Sequence, residues 1–421
     1  MQRHLVQRSV MPSSLRQKTL IKRAVIERTE RKRAVMKKII LFVGLMMTNS
    51  LFASTPIIPA PPQLAAEGYL LIDASTGKIL VDHNSKQRLP PASLTKIMTS
   101  YVAAGAIEQG TIGLKDSVDV SIKAWKMEGS RMFIQEGTQV LVENLLRGII
   151  IQSGNDASVA IAEHIAGSEE SFVDVMNQRA ARLGMMDTHF MNVTGLPNED
   201  HYTTASDLAK LTIALIENFP GHYSLYSEKY FTYNDIRQAN RNSLLWRDNS
   251  VDGVKTGHTN AAGYCLVASA ERDGMRLVSV VMGAGSERAR ATESQKLLTY
   301  GFRYFETVPL YVGSESLSKV RIWGGSHGSI NLGLAEDALV TIPRGARENL
   351  AAHMDITNQI HAPLSKGQKL GTLTVLMDDE TILNEPLIAL NAVAEAGFFS
   401  SLWDTIVLFF LQLSGGDPLS L

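Results

Sequence analysis

The sequence predicts an α+β domain of three layers, an antiparallel sheet with helices packed on it, followed by a small all-β domain and a C-terminal amphipathic helix. Three observations lead there. β-rich runs stand at both ends of residues 63–305, helical apolar spacing fills the middle of that span, and near Pro309 the chain turns to short strand-like runs separated by Gly, Pro and Asn. With 421 residues, 45% of them hydrophobic and 20% charged, the chain buries a sizeable core and is long enough for more than one domain. A disordered or collagen-like chain is excluded.

Residues 1–53 read as a leader with a secretory signal: Lys37 and Lys38 precede the apolar run Ile39–Met47, and Ala53 stands where cleavage is expected. The run is short for a hydrocarbon core of about 30 Å; an uncleaved anchor is the alternative. A start at Met36 would only shorten the positive region. Residues 54–62 form a proline-rich linker. Residues 63–305 open with a hairpin, Gly68–Asp73 and Ile79–Val81 about a turn with Gly77. A helix then runs from Leu94 to Ile107 with Ser93 at its start. Further helices are expected at Val142–Ile151, Asp156–Ala166, Glu170–Leu183 and Ala205–Asn218. Strands return at Val251–Lys255, Gly263–Glu271 and Arg276–Met282 before a helix at Ala291–Phe305, so the two ends of the domain share one sheet. The β domain spans 306–395, with strands at Val320–Trp323, Ala338–Ile342, His353–Ile356 and Thr372–Leu376. In the tail, 396–421, Phe398, Phe399, Leu402, Trp403, Ile406, Phe409, Phe410 and Leu413 recur at helical spacing. That helix is too short to span a bilayer and suited to lie in its interface, although its polar face carries no Lys or Arg; packing on the β domain is the alternative.

Net charge is −1, which argues against a nucleic-acid partner. The leader holds 12 Lys/Arg and 2 Glu, leaving 29 basic and 40 acidic residues, net −11, in the rest. Cys265 is the single cysteine, which excludes an internal disulfide and any multi-cysteine metal site; it reads as a buried, inert thiol. The histidines show no metal-ligand spacing, and no metal or cofactor is called for. Asn192-Val193-Thr194 matches a glycosylation sequon, a weak signal beside the rest.

Three short motifs carry the chemistry, in this order: Ser93-Leu94-Thr95-Lys96, Ser153-Gly154-Asn155 and Lys255-Thr256-Gly257-His258. A serine and a lysine three apart on a helix share a face, so the amine reaches the hydroxyl. The amine is a base only when neutral, and burial near a second cation makes it so; Lys255 is a candidate for that cation. Two unit charges at ~4 Å in an effective dielectric of ~20 interact by about 4 kcal/mol, enough to move protonation. Lys255 is also suited to hold an anionic substrate end. Each motif alone is common, but the ordered trio is the set found in penicillin-binding proteins and class A β-lactamases, with Gly154 here in place of the middle Asp.

Over about residues 63–412 the sequence resembles the D-alanyl-D-alanine carboxypeptidases among the low-molecular-mass penicillin-binding proteins. The likeness rests on the stretches Pro91–Thr99, Gln152–Ala157, Val251–Thr259, Lys296–Arg303 and Ile342–Gly345. It implies a DD-peptidase/β-lactamase-like fold and a serine-type reaction on the peptidoglycan pentapeptide. Ser93 would attack the carbonyl between the terminal D-alanines with Lys96 as general base, giving an acyl-enzyme that water hydrolyses. Backbone N–H groups of Ser93 and His258 would form the oxyanion hole, whose single donors are worth roughly 2.7–4 kcal/mol in comparable enzymes. Ser153 would relay a proton to the departing amine, Asn155 would bind the acyl side, and Lys255, Thr256 and Gly257 would line the path of the terminal carboxylate. Arg288 and Arg290 are both placed to assist there. β-Lactams would acylate the same serine, and the protein would be periplasmic, held by its tail on the outer face of the inner membrane. Alternatives are a β-lactamase, for which no Glu-x-x-x-Asn segment is evident between Asn155 and Lys255, a DD-endopeptidase, or a wall-binding scaffold of weak activity.

Overall fold

A computed structural model of the chain describes residues 57–413 and 417–420; the leader and its expected cleavage site lie outside them. Two compact units divide near residue 307.

In the first unit, β1 (Gly68–Asp73) pairs with β2 (Ile79–His83). The nucleophile motif enters through a 3₁₀ turn, Ala92–Leu94, into α1 (Thr95–Glu108). Ser93 therefore lies in the turn that opens the helix, and the α-helical part begins two residues later at Thr95. Next come β3 (Ser117–Asp119), α2 (Ile122–Trp125), β4 (Gln139–Leu141) and α3 (Val142–Arg147). The single helix expected over 142–151 is α-helical only to Arg147; a π turn, Gly148–Gln152, follows and ends at Ser153 in the left-handed region, φ 65°. After it stand α4 (Asn155–Ala166), α5 (Glu169–Arg182), α6 (Ala205–Asn218) and α7 (Pro220–Tyr223). The side chains of Ser168 and Thr204 cap α5 and α6, worth about 1 kcal/mol each. The hairpin of β5 (Tyr230–Tyr233) and β6 (Ile236–Ala239) and the short α8 (Leu244–Arg247) lead to β7 (Val251–Thr259), β8 (Gly263–Arg272) and β9 (Met275–Ala284), and α9 (Glu287–Tyr304) closes the unit.

The ends of the unit share one antiparallel sheet of order β2-β1-β9-β8-β7, as the sequence pattern requires. Successive side chains of a strand point to opposite faces. Along β8, Cys265 and Val267 therefore enter one core with α1, α4 and α6, while Leu266, Ala268 and Ala270 enter a second core with α9. Both faces are covered, which is why these strands read as continuous apolar runs and why the unit has three layers. α1 is buried on every side from Thr95 to Ala106, Lys96 included, so it forms the floor of the site. β7 is the edge strand and runs on to Thr259, past the expected end at Lys255.

The second unit contains β10 (Phe305–Tyr311, which begins at the division), β11 (Ser318–Arg321), β12 (Ser329–Gly333), β13 (Ala338–Pro343), β14 (Leu350–Ile356), β15 (Lys369–Met377) and β16 (Glu380–Ala389). Five of these form a sheet of order β11-β12-β16-β15-β14, and β10 pairs with β13. The four strands read from sequence correspond to β11, β13, β14 and β15, with the first displaced toward Ser318. The tail helix, α10 (Phe398–Leu413), leaves Trp403, Phe409 and Phe410 exposed. Asp404 accepts the Gly324 N–H at 3.0 Å. Beyond the helix the chain returns to the sheet: Trp323 Nε1 donates to the Pro418 carbonyl at 3.1 Å, and Leu419 is buried in the β core.

Candidate active site

The turn before α1, the left-handed residue after the π turn, and edge strand β7 bring the three motifs together. Lys96 Nζ is buried 3.2 Å from Ser93 Oγ, 2.7 Å from Asn155 Oδ1 and 2.6 Å from the Thr194 carbonyl oxygen. A neutral amine has two hydrogens and one lone pair. Two of these partners are pure acceptors and the third is a hydroxyl, so the neutral form satisfies all three while receiving the Ser93 proton. Burial, with help from the Arg241 charge, lowers the Lys96 amine to about 7, against the opposing influence of Asp156.

Lys255 Nζ donates to Ser153 Oγ at 2.9 Å and to the Thr256 carbonyl at 3.0 Å. Burial pushes this amine far down, and Lys96, Arg241 and Arg290 push it further. The sequence suggests Lys255 as the cation that lowers Lys96; here the charge that helps lower Lys96 is that of Arg241, and Lys96 is among the charges that lower Lys255. Arg241 adds a cation that no motif reveals.

Several glycines are fixed by close approach. β7 crosses the nucleophile turn so tightly that a Cβ on Gly257 would lie 3.0 Å from the Pro91 carbonyl oxygen and 3.2 Å from Ala92 Cβ. At Gly154 it would lie 2.9 Å from Asp156 Oδ1. Asp156 is engaged from the loop opposite, accepting N–H groups of Met132, Phe133 and Ile134 at 3.0, 2.8 and 3.2 Å. Asn155 Nδ2 donates to the Glu128 carbonyl at 2.6 Å and its Oδ1 accepts from Lys96, so one amide hydrogen remains for a substrate. Asn192, the sequon asparagine, accepts from Thr194 N, Thr194 Oγ1 and Gly195 N, and so shapes the turn that meets the nucleophile.

The two arginines separate. Arg290 is buried, and its Nη1 donates to the Gly257 carbonyl at 3.2 Å behind β7. Arg288 is exposed and lines a different cavity with Ser243, Arg247, Glu287 and Thr292. Thr256 is buried; the exposed His258 ring stacks on Tyr264 with centroids 4.0 Å apart. Burial raises the Cys265 thiol to about 11, which makes it inert at neutral pH. Beside the nucleophile turn opens a cavity of about 540 Å³, lined among others by Arg88, Ala92, Gly195, Leu196 and Tyr202.

A serine hydroxyl, a buried amine beside it lowered to about 7, and a second serine–lysine pair across a cleft define a serine acyl-transfer hydrolase. The comparisons narrow the class. The family described as D-alanyl-D-alanine carboxypeptidase matches residues 55–286, and the penicillin-binding protein 5 C-terminal domain matches 305–395. The chain is 46% identical over 372 residues to D-alanyl-D-alanine carboxypeptidase DacC of Escherichia coli, covering 86% of this chain and 93% of that protein. It is 47% identical over 364 residues to DacA of the same organism, covering 84% and 90%. Penicillin-binding protein 5 from Haemophilus influenzae superposes with a TM-score of 0.77 at 42% identity, covering 80% of this chain and 100% of that one. The chain belongs to the D-alanyl-D-alanine carboxypeptidase family, and is a serine-type hydrolase of the penicillin-binding proteins.

Proposed function

We propose that this carboxypeptidase removes the terminal D-alanine of peptidoglycan pentapeptide stems with Ser93 as nucleophile and Lys96 as general base. The observation that carries the reading is the Lys96 amine, buried and lowered to about 7, with two acceptors and the Ser93 hydroxyl as its partners. The terminal carboxylate enters beside Lys255 and Thr256, while Arg290 acts on Lys255 by its charge. A carboxylate there favours the charged form of Lys255, and that charge in turn keeps Lys96 neutral, so substrate binding itself assigns the proton.

Ser93 Oγ then gives its proton to Lys96 and bonds to the carbonyl carbon. The developing oxyanion lies against the N–H groups of Ser93 and His258. The C–N bond breaks as Ser153, hydrogen-bonded by Lys255, relays to the leaving amine the proton that Lys96 took from Ser93. Lys96, neutral again, takes a proton from the water that attacks the ester and gives it to Ser93 Oγ as the acyl–oxygen bond breaks, and the shortened stem leaves. Asn155 binds the acyl side with its free amide hydrogen, and Gly257 lets β7 lie close enough to complete the hole. β-Lactams take the same path as far as the acyl-enzyme. The direct test is D-alanine release from a stem pentapeptide by wild type and not by Ser93→Ala; release by that variant would remove Ser93 from its role.

The signal-like leader and the exposed aromatic face of α10 support a periplasmic protein attached to the outer face of the inner membrane. Among the described residues no helix is long and apolar enough to cross a membrane. Insertion is therefore interfacial, through Trp403, Phe409 and Phe410. Leu419 belongs to the β core, so substitution tests this better than truncation. Replacing the three aromatics by serine is expected to release the protein from zwitterionic lipid vesicles in a flotation assay and leave penicillin acylation unchanged. High salt is expected to leave wild-type binding intact, because α10 carries no Lys or Arg. Loss of binding in salt would show that another, cationic surface does the attaching.

A further inference from the structure

The peptide that aims the Ser93 N–H is held by groups outside all three motifs' accepted roles. Ala92, fully buried, sits at φ 48°, a region that few non-glycine residues occupy. Its carbonyl oxygen accepts both the Thr95 backbone N–H and, at 2.8 Å, the Thr95 hydroxyl, and the same hydroxyl lies 2.9 Å from His201 Nε2. A hydroxyl has one hydrogen. With that hydrogen given to Ala92, the Thr95 oxygen accepts from His201, so Nε2 carries the ring proton. On the other side Nδ1 accepts the Met191 N–H at 3.4 Å. The ring is thereby fixed as the neutral Nε2–H tautomer, since an imidazolium would turn a second N–H toward that of Met191. The residue is 3% exposed, and the ring packs edge-on against Phe190 at 5.8 Å.

In a trans peptide the carbonyl and the following N–H point in opposite directions. Holding the Ala92 oxygen through Thr95 turns the Ser93 N–H away from the helix and toward the cleft. We infer that Thr95 and His201 are positioning residues for the oxyanion hole: His201 orients the Thr95 hydroxyl, which fixes the Ala92–Ser93 peptide and so aims one oxyanion donor. Gly195 packs on the other side of that peptide, where its hypothetical Cβ would lie 1.8 Å from the Ala92 oxygen, so the peptide is held from two directions. The inference rests on Ser93 being the nucleophile.

The test compares Thr95→Val, which keeps the shape and removes the hydroxyl, with Thr95→Ser, which keeps the hydroxyl. Complete loss of one oxyanion donor costs roughly 10²–10³ in rate, and a misaimed donor costs part of that. The expected result is a penicillin acylation rate constant at least about tenfold lower in T95V and within about threefold of wild type in T95S. The dissociation constant of the complex before acylation is expected to stay near wild type in both, measured where both are folded. A second measurement needs no variant: nitrogen-15 NMR of the histidine-labelled wild-type chain is expected to show His201 as the neutral Nε2–H tautomer from about pH 5 to about pH 8. A folded T95V acylating at the wild-type rate, a T95S as slow as T95V, or an Nδ1–H tautomer at His201 overturns the inference. Failure of the Ser93 reading shows differently, as a wild-type chain that forms no penicillin adduct at all.

Discussion

Lys96→Met is expected to bind penicillin and to acylate about 10³-fold more slowly than wild type, within the 10²–10⁴ that a positioned general base contributes. Methionine keeps the length of the side chain and removes the amine, leaving the Ser93 hydroxyl with no group to take its proton. The pH profile supplies the independent signature. Lowered to about 7, the Lys96 amine loses its proton as pH rises through that value, so the base form is the high-pH form. Wild-type acylation therefore climbs about tenfold per unit below pH ~7 and levels off above it, while K96M is flat over the same range. Stopped-flow acylation with a chromogenic β-lactam reads both. A K96M rate within tenfold of wild type, or a flat wild-type profile, would place the base elsewhere.

Gly195→Ala is the second large effect. Gly195 sits at φ 84°, where an L residue is strained by roughly 1–2 kcal/mol, and its Cβ would lie 1.8 Å from the Ala92 oxygen and 2.9 Å from Ser93 N. Those neighbours are backbone, so the nucleophile turn itself has to move. The adjoining Thr194 carbonyl, an acceptor for Lys96, moves with it. A loss of about 10²-fold in acylation is expected, the lower end of what removing one oxyanion donor costs. Gly77→Ala is the control: the glycine is at φ 70° with nothing within 4 Å of a Cβ, so it carries the strain without the collision. Thermal unfolding is expected to shift in both variants and activity in Gly195→Ala alone. Full activity in folded Gly195→Ala would mean that the turn has more room than its geometry allows.

Much of the site was legible because its motifs are contiguous. Ser93 and Lys96 lie one turn apart, and Lys255 to His258 lie on a strand, so local spacing predicts their neighbourhood. What was missed acts across the fold. Arg241, Gly195 and His201 reach the site through tertiary placement, well outside all three motifs in sequence, whereas Asp156 follows Asn155 directly and its role was hidden only because its partners, Met132 to Ile134, lie on another loop. For Gly195 the neighbouring Asn192 and Thr194 gave a turn signal, which the sequon reading obscured. The fold shows the same division. Long buried strands and helices were found, whereas the hairpin of β5 and β6 was not, although Asn234 and Asp235 turn it with φ 46° and 61°. Asp378 and Asp379 do the same between β15 and β16 at φ 50° and 69°. Both pairs suit a two-residue turn with positive φ, a signal carried by residues that are also common in loops.

The central claim, that Ser93 is acylated with the help of a buried neutral amine, is tested most directly by intact mass of the mature protein before and after penicillin, for wild type and Ser93→Ala side by side. A single adduct of the antibiotic's mass on wild type and none on Ser93→Ala is the predicted result. An adduct that persists on Ser93→Ala, or a wild type that forms none, would contradict it.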